Sequence, residues 1–454
     1  LLRASAAIEQ AQRLHGYRIA ERDQLDNIRR YWKGRQKLPA VIPTSAPHEV
    51  KVMSRSSRVN VIPIVLNSLV QASFVDGFRA GNDGADLDVW GVWQANRMDA
   101  HQTAIHRAAF AYGAAYAVVL PGDPLPVIRG VSPRAMTAMY GEDPDWPMWA
   151  LERAAKGSWR LYDEEAVYFL SGEPGSFEFI EARKHPAGVT PVVRYLDEDD
   201  LDADDEVEAG WPQAQNVIDI PTRGQVGPLM PIQDQIDLTT FGLQVTQHYG
   251  AFKQRYIIGW VAESEKELAK HGASYLMTID GDAQEIKAGE WDQNNLDGYI
   301  KSRESSLRHA ATLSQTPVHE LIGEVVNLSA EALAAAEKGH ERKVDERHTL
   351  IGESHEQVFW LVGKYTGVDV PDDAQVVWRD TSARAFAATV DALGKLTQML
   401  GIPPQELWER VPGATKQDID RWKAAAAQGD SFKVLSDLLE RQAAGGNGGD
   451  PVLQ

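Results

Sequence analysis

Between Ala330 and Thr366 the sequence keeps a helical pattern without a proline, and no other stretch limits the fold as strongly. At 1.5 Å per residue these 37 residues predict a helix about 55 Å long. A compact chain of 454 residues has a radius of gyration of only about 22 Å. Such a helix crosses a whole globule, which favours an elongated subunit of a larger assembly over a free-standing enzyme. Ser329 is placed to cap its start and Gly367 its end. Gly339 and Gly352 inside it cost about 1 kcal/mol each relative to alanine, so a bend is expected at one of them.

The remaining composition excludes several classes. There is no cysteine, which removes disulfides, thiolate metal sites and cysteine nucleophiles. No apolar run approaches the roughly 18 residues of a membrane span. The opening LLRASAAIEQ, without methionine, suggests trimming or missing residues and does not resemble a signal peptide. The chain lacks G-x-x-x-x-G-K-[ST], a strand-linked G-x-G-x-x-G, G-x-S-x-G and H-E-x-x-H, which removes the commonest nucleotide-binding and hydrolase readings. Its net charge of −19 argues against sequence-independent phosphate binding, because that affinity comes from Lys and Arg displacing counterions.

Periodicity predicts an α+β, predominantly helical chain. Amphipathic helix is expected over 6–33, a proline-rich arm over 38–48, helix over 59–78 with Asn60 as N-cap, and helix over 87–112. Ala117–Leu120 reads as a buried strand, and β-like pieces at 149–154, 159–162, 166–170, 177–181 and 192–195 predict an antiparallel meander. Helices return at 229–253 and 296–313. Between them, strands at 256–261 and 275–279 flank a helix at 264–271 opened by the capping box Ser264 to Glu267. The C-terminal part is helical, at 383–400, from Pro404, from Thr415 and over 431–441, followed by a glycine-rich tail.

Several features allow two readings. Residues 197–208 (DEDDLDADDEVE) are acidic at nine of twelve positions and predict a solvated loop, since like charges at this density are not buried. The sharper alternative, a calcium site, lacks the glycine and terminal glutamate of an EF-hand. His340, His348 and His355 share roughly one helix face, spaced too widely for one metal ion, and predict a solvated or subunit-contact stripe. Thirteen tryptophans, several beside acids (Trp146, Trp149, Trp211, Trp291), are core and interface anchors or sugar platforms. Lys301, Arg303 and Arg308 are phosphate contacts or ordinary solvated cations.

Four short motifs then occur in a telling order: Tyr31-Trp-Lys-Gly34, Arg58-Val-Asn60 leading toward Gly77-Phe78, Phe252-Lys-Gln-Arg-Tyr-Ile-Ile-Gly259, and Leu313-Ser-Gln-Thr-Pro317 through Gly323 to Asn327-Leu-Ser-Ala-Glu-Ala332. In this order and spacing, over about 30–440, the chain resembles the portal proteins of tailed bacteriophages, in particular the siphophage branch of Gram-positive and actinobacterial hosts.

The resemblance implies an N-terminal arm and α+β wing (1–228), a first stem helix (229–253), a clip (254–297), a second stem helix (298–313) and a tunnel loop (314–328). A long wing helix with its following segment (329–381), a helical crown (382–441) and a flexible tail (442–454) complete it. It also implies a homo-oligomeric ring, commonly of twelve, at one capsid vertex of the virion, assembled in the host cytoplasm. Double-stranded DNA would pass through the ring during packaging and ejection. The terminase large subunit, a head-tail adaptor, and the major capsid and scaffolding proteins would be partners, with no cofactor, no metal and no membrane. His319, Glu320, Glu324 and Asn327 would lie nearest the DNA, unless this loop merely packs under the long helix through Leu321, Ile322, Val325 and Val326. Lys301, Arg303 and Arg308 would be the phosphate contacts on the stem. A carbohydrate hydrolase and a non-portal virion scaffold or adaptor are the alternatives.

Overall fold

The computed structural model describes residues 1–39, 42–79, 89–198, 224–250, 255–258, 276–279, 287–290, 295–323, 330–379, 386–408, 411, 418–419 and 421–426. They form a mixed helix and sheet structure in two units, residues 1–73 with 87–372 and residues 74–86 with 373–454.

The first unit begins with α1 (Ala4–Trp32), whose Ala7, Ala11 and Leu14 repeat at helical spacing. They pack on Leu151, Trp159, Leu161, Tyr168 and Leu170 of a five-stranded meander. Its strands are β4 (Met136–Tyr140), β5 (Pro147–Ala155), β6 (Ser158–Tyr162), β7 (Ala166–Ser171) and β8 (Glu178–Lys184), antiparallel and in chain order. Strand alternation sends Ala150, Tyr162 and Val167 to the other face. There they meet Tyr116, Val118 and Val192 of a second sheet. That sheet has β2 (Ala114–Leu120) between β3 (Val127–Val131) and β9 (Val192–Leu196). Helix α2 (His48–Ser56) follows the arm, and α3 (Ile62–Ala72) and α5 (Met98–Tyr112) complete the layers with α9 (Ala330–Thr366). The expected helix over 87–112 is divided: α4 (Trp90–Ala95) and α5 are separated by Arg97 in the left-handed region, φ 53°.

Helix α6 (Val226–Gly250) pairs with α7 (Asp297–Ser314). Between them β10 (Arg255–Ile258) lies parallel to β11 (Leu276–Ile279) and antiparallel to β12 (Lys287–Glu290). A parallel pair needs a crossover connection. The two expected strands are present and β12 is additional; the expected helix at 264–271 lies outside the described residues. Short α8 (Val318–Ile322) precedes α9, which runs unbroken through Gly339 and Gly352 and ends at Gly367, φ 76°.

The histidines of α9 correct the expectation of a solvated or subunit-contact stripe. His340 Nε2 lies 3.1 Å from Ser68 Oγ of α3, and His348 bonds the Ala72 backbone. His355 is fully buried, between Tyr195 (Oη to Nδ1, 3.0 Å) and His106 (Nε2 to Nε2, 2.8 Å), while His106 Nδ1 lies 3.1 Å from the Ser73 carbonyl. A carbonyl only accepts, so His106 carries its proton on Nδ1. Its Nε2 then accepts from His355 Nε2–H, and His355 Nδ1 accepts from Tyr195. Both rings are neutral in this chain of bonds, and burial lowers both, His106 to about 4.

The second unit contains β1 (Val75–Arg79) paired antiparallel with β13 (Gln375–Trp378), α10 (Phe386–Leu400) and α11 (Pro404–Leu407). The helix expected over 59–78 therefore stops at Ala72, and Phe74 onward is extended. Arg379 fixes this start through its N–H to the Phe74 carbonyl (2.8 Å), its guanidinium over the Phe74 ring, and an ion pair with Asp76 (2.8 Å). Gly401 ends α10 at φ 70°, and Pro404 opens α11 at a position that needs no N–H.

Candidate nucleic-acid interface

The sequence motifs at 31–34 and 58–60 converge on α6. Tyr31 Oη donates to Asp234 at 2.9 Å, and Asn60 Nδ2 donates to the carbonyls of Tyr31 and Trp32 at 2.8 and 3.0 Å. Gln233 bridges the Val59 carbonyl and the Val61 N–H, at 2.9 and 3.0 Å, while Asp237 accepts from Gln36 and the Val59 N–H. Desolvation pushes the Asp237 carboxyl up, opposed by the bonds from Gln36, Gln233 and Val59. These bonds fix the N-terminal half of α6 to the end of α1 and to the segment that leads into α3.

Along the pair, Gly242 lets α7 approach closely: a Cβ there would meet Tyr299 Cε1 at 2.9 Å. Beside this contact lies an open groove of about 570 Å³ lined by Leu238, Phe241, Asn295, Gly298, Tyr299 and Ser302. Leu238, Ile300, Leu313 and Val318 are exposed apolar side chains on α6, α7 and α8.

The far end of α7 rests on a buried polar cluster. Lys343 of α9 donates to the Ser314 carbonyl at 2.9 Å and also to Gln225 Oε1. Gln225 donates to Asp197 at 2.7 Å, and Arg347 pairs with Asp197 at 3.1 Å. Desolvation raises Asp197 to about 6 against the pull of Arg347, Gln225 and Lys343, and lowers Lys343 to about 8 against the pull of Asp197. Asp197, expected to be solvated with the rest of the acidic block, is fully buried, because a cation and an amide replace its water. Residues 199–208 lie outside the described residues.

Beyond α7 the chain turns at Gln315 (φ 52°), makes α8 and turns again at Gly323 (φ 74°). Of the expected channel residues, Glu320 is exposed and His319 half-buried, while Leu321 is buried beneath them. Glu324 and Asn327, with Val325 and Val326, lie outside the described residues. On α7, Lys301 and Arg308 are exposed and Arg303 is half-buried. Arg308 also lies 3.9 Å from Glu304, one helical turn away. Of the tryptophans beside acids, Trp146 lies against Trp360 at 5.6 Å and half-buried Trp149 packs against the core between α1 and the meander, both as packing anchors. Trp211 and Trp291 lie outside the described residues. Among the described residues no group of three or more His, Asp or Glu could hold a metal ion, and no helix is long and apolar enough to cross a membrane.

Sequence reasoning missed Lys343, Arg347, Asp197 and Gln225. The signal was present: Lys343 and Arg347 share the 3–4 spacing of the buried positions Val344, Ile351, Ser354 and Val358 on α9.

The pattern of the phage portal protein family, SPP1 Gp6-like, matches residues 14–431, and the chain belongs to that family. It is 27% identical over 447 residues to the portal protein of Mycobacterium phage D29, covering 88% of this chain and 86% of that one. It is 25% identical over 430 residues to the portal protein of Mycobacterium phage L5, covering 86% and 82%. Among solved structures it is similar to a chain in the virion of a native gene transfer agent particle, at 12% identity and TM-score 0.47, covering 83% of this chain and 97% of that one.

Proposed function

We propose that this chain forms a closed homo-oligomeric ring, of twelve subunits as is common for portals, at one vertex of the phage capsid. Double-stranded DNA moves through it during packaging and ejection. In this reading residues 1–228 are arm and wing, and the α6–α7 pair is the stem. Residues 254–297 are the clip toward the terminase large subunit and the head-tail adaptor. Residues 314–328 are the tunnel loop, α9 is the wing helix, and 382–441 are the crown toward the capsid and scaffolding proteins. The role is structural; ATP hydrolysis belongs to the motor, and assembly takes place in the host cytoplasm.

The observation that carries the reading is the α6–α7 pair. At one end it holds a small three-stranded insertion, and at the other it feeds through two left-handed turns into a 37-residue helix. The exposed Leu238, Ile300, Leu313 and Val318 suit a helix pair whose flanks are covered by neighbouring subunits. His319, Glu320, Glu324 and Asn327 line the narrowest part in this proposal. Lys301, Arg303 and Arg308 reach phosphates from the stem. A wall poor in cations releases few counterions and lets DNA slide.

In a packaging assay, Glu324→Ala and a deletion within 319–325 should reduce DNA filling of capsids; normal filling with both removes the loop assignment. Arg303→Gln with Arg308→Gln should weaken retention of the packaged genome, and unchanged retention counts against the stem contacts. Capsids assembled without this chain should remain empty of DNA.

A further inference from the structure

The chain is acidic, yet its first 37 residues carry nine Lys and Arg against four Asp and Glu. The asymmetry sharpens at the end of α1. Arg29, Arg30, Lys33, Arg35 and Lys37 supply five cations in nine residues with no acid among them, and all five are exposed. Half-buried Arg107 on α5 joins them from a different element. Lys33 is lowered by partial desolvation and then by repulsion from Arg29, Arg107 and Arg35, which places these four charges within each other's fields.

The simple explanation, cations complementing a helix C-terminus, accounts for Arg29 and Arg30 in the last turn of α1. It does not account for Lys33, Arg35 and Lys37 beyond the helix, or for Arg107. Acids on the neighbouring elements are already held, half-buried Asp234 by Tyr31, buried Asp237 by Gln36 and Gln233, and half-buried Asp26 by Arg134 at 2.9 Å. None of the six cations forms an ion pair among the described residues. Cations grouped in this way, with no ion pair among the described residues, repel one another, and an arriving polyanion relieves that repulsion.

We propose that Arg29, Arg30, Lys33, Arg35, Lys37 and Arg107 form a docking surface for the phosphate backbone of duplex DNA, on elements other than the channel residues of α7 and 319–327. Four of the six are arginines, whose forked guanidinium suits phosphate pairs, and the dense single-sign charge favours a uniform polyanion. The net charge of −19 does not prevent this, because at physiological salt the screening length is about 8 Å and only nearby acids act on the patch. The inference goes beyond the conduit reading and uses none of its residues.

The test is fluorescence anisotropy of a 30-base-pair duplex with the full chain, titrated at 50 to 200 mM salt. The parent should bind, with an affinity that falls steeply as salt rises. Changing Arg29, Arg30, Lys33 and Arg35 to Gln should weaken binding at least tenfold and reduce the salt slope by about 3. The four side chains are exposed, so far-ultraviolet circular dichroism should match the parent and stability should fall by no more than about 1 kcal/mol, the worth of the helix-end cations Arg29 and Arg30. Arg29→Lys, Arg30→Lys and Arg35→Lys together should retain the slope. Unchanged binding in the Gln variant overturns the proposal, as does a parent that binds a polyglutamate peptide more tightly than the duplex. If Arg303→Gln with Arg308→Gln abolishes binding while the α1 variant does not, the conduit reading stands and this surface falls.

Discussion

Lys343 donates from its ammonium to the carbonyl oxygen of Ser314 at 2.9 Å, so that α9 caps the end of α7 from the side. This bond closes one helix with the cation of another at the point where the chain enters the 315–323 turn. It also makes the turn sensitive to any displacement of α9, because Arg347, one turn further along, holds Asp197 at the end of β9.

Lys343→Met keeps the apolar stem and removes the charge. At pH 7 the lost hydrogen bond to a charged group, worth about 2 kcal/mol, is offset by relief of the desolvated charge, so the variant should lose less than about 2 kcal/mol of unfolding free energy. Folding lowers Lys343 to about 8 from 10.5, so the unfolded chain holds more protons in that interval and stability rises with pH. Between pH 8 and 9.5 the parent should gain on the variant by up to about 2 kcal/mol in denaturant titrations.

The Tyr195–His355–His106 chain makes the opposite prediction toward acid. His106 falls to about 4 on folding, so below pH 6.5 the unfolded chain takes up the extra proton and stability drops. About 3 kcal/mol is lost by pH 4 through this group alone, partly offset by Asp197, whose raised value acts the other way. His106→Asn with His355→Gln should be less stable at pH 7 yet lose less between pH 6.5 and 4, read as melting temperature against pH.

Glu152 is buried between the meander and the second sheet, with Arg129 on both of its oxygens and Tyr162 at 2.5 Å. Desolvation opposes its charge, but the bonds from Arg129 and Tyr162 prevail and hold the carboxyl below its usual range. Its contribution is therefore full above the ordinary carboxylate range and lost as pH falls through the lowered value. Glu152→Ala removes the partner of a half-exposed Arg129 and the acceptor of Tyr162 and should cost about 2 kcal/mol by chemical denaturation; replacing both Arg129 and Glu152 by Met should cost less than the single change.

Gly323 and Gln315 both sit in the left-handed region. Gly323→Ala should therefore lose about 1 kcal/mol, whereas Gln315→Gly should be neutral or stabilising by a few tenths. Thermal unfolding of the two variants, measured side by side, checks the sign.

The periodic elements were legible in the sequence. The helical pattern at 330–366 matches α9 at both ends, and the meander pieces at 159–162 and 166–170 match β6 and β7 within a residue. Phe74 was misread because Val61 to Phe74 keeps a helical spacing. What ends the helix there is pairing with β13, some 300 residues away, which local pattern does not contain. The histidines of α9 were misread for a related reason: polar residues at helical spacing look solvated until Ser68, Ser73 and Tyr195 arrive from other elements to satisfy them. Lys301, Arg303 and Arg308 were legible as cations distributed around a helix, and the structure leaves Lys301 and Arg308 exposed and Arg303 half-buried. The Lys343–Ser314 support beneath the turn was not, since it depends on a main-chain carbonyl that no side-chain motif marks.

Gly242 and Tyr299 touch near the point where the chain departs at Gly250 and returns at Asp297, so residues 251–296 are anchored at one spot on a fixed helix pair. Lengthening a segment held in this way costs closure entropy of only about 0.6 kcal/mol per doubling. The segment can thus be enlarged, trimmed or exchanged between relatives while α6 and α7 keep their register. A change in the length of this segment therefore leaves the frame that carries it as it is.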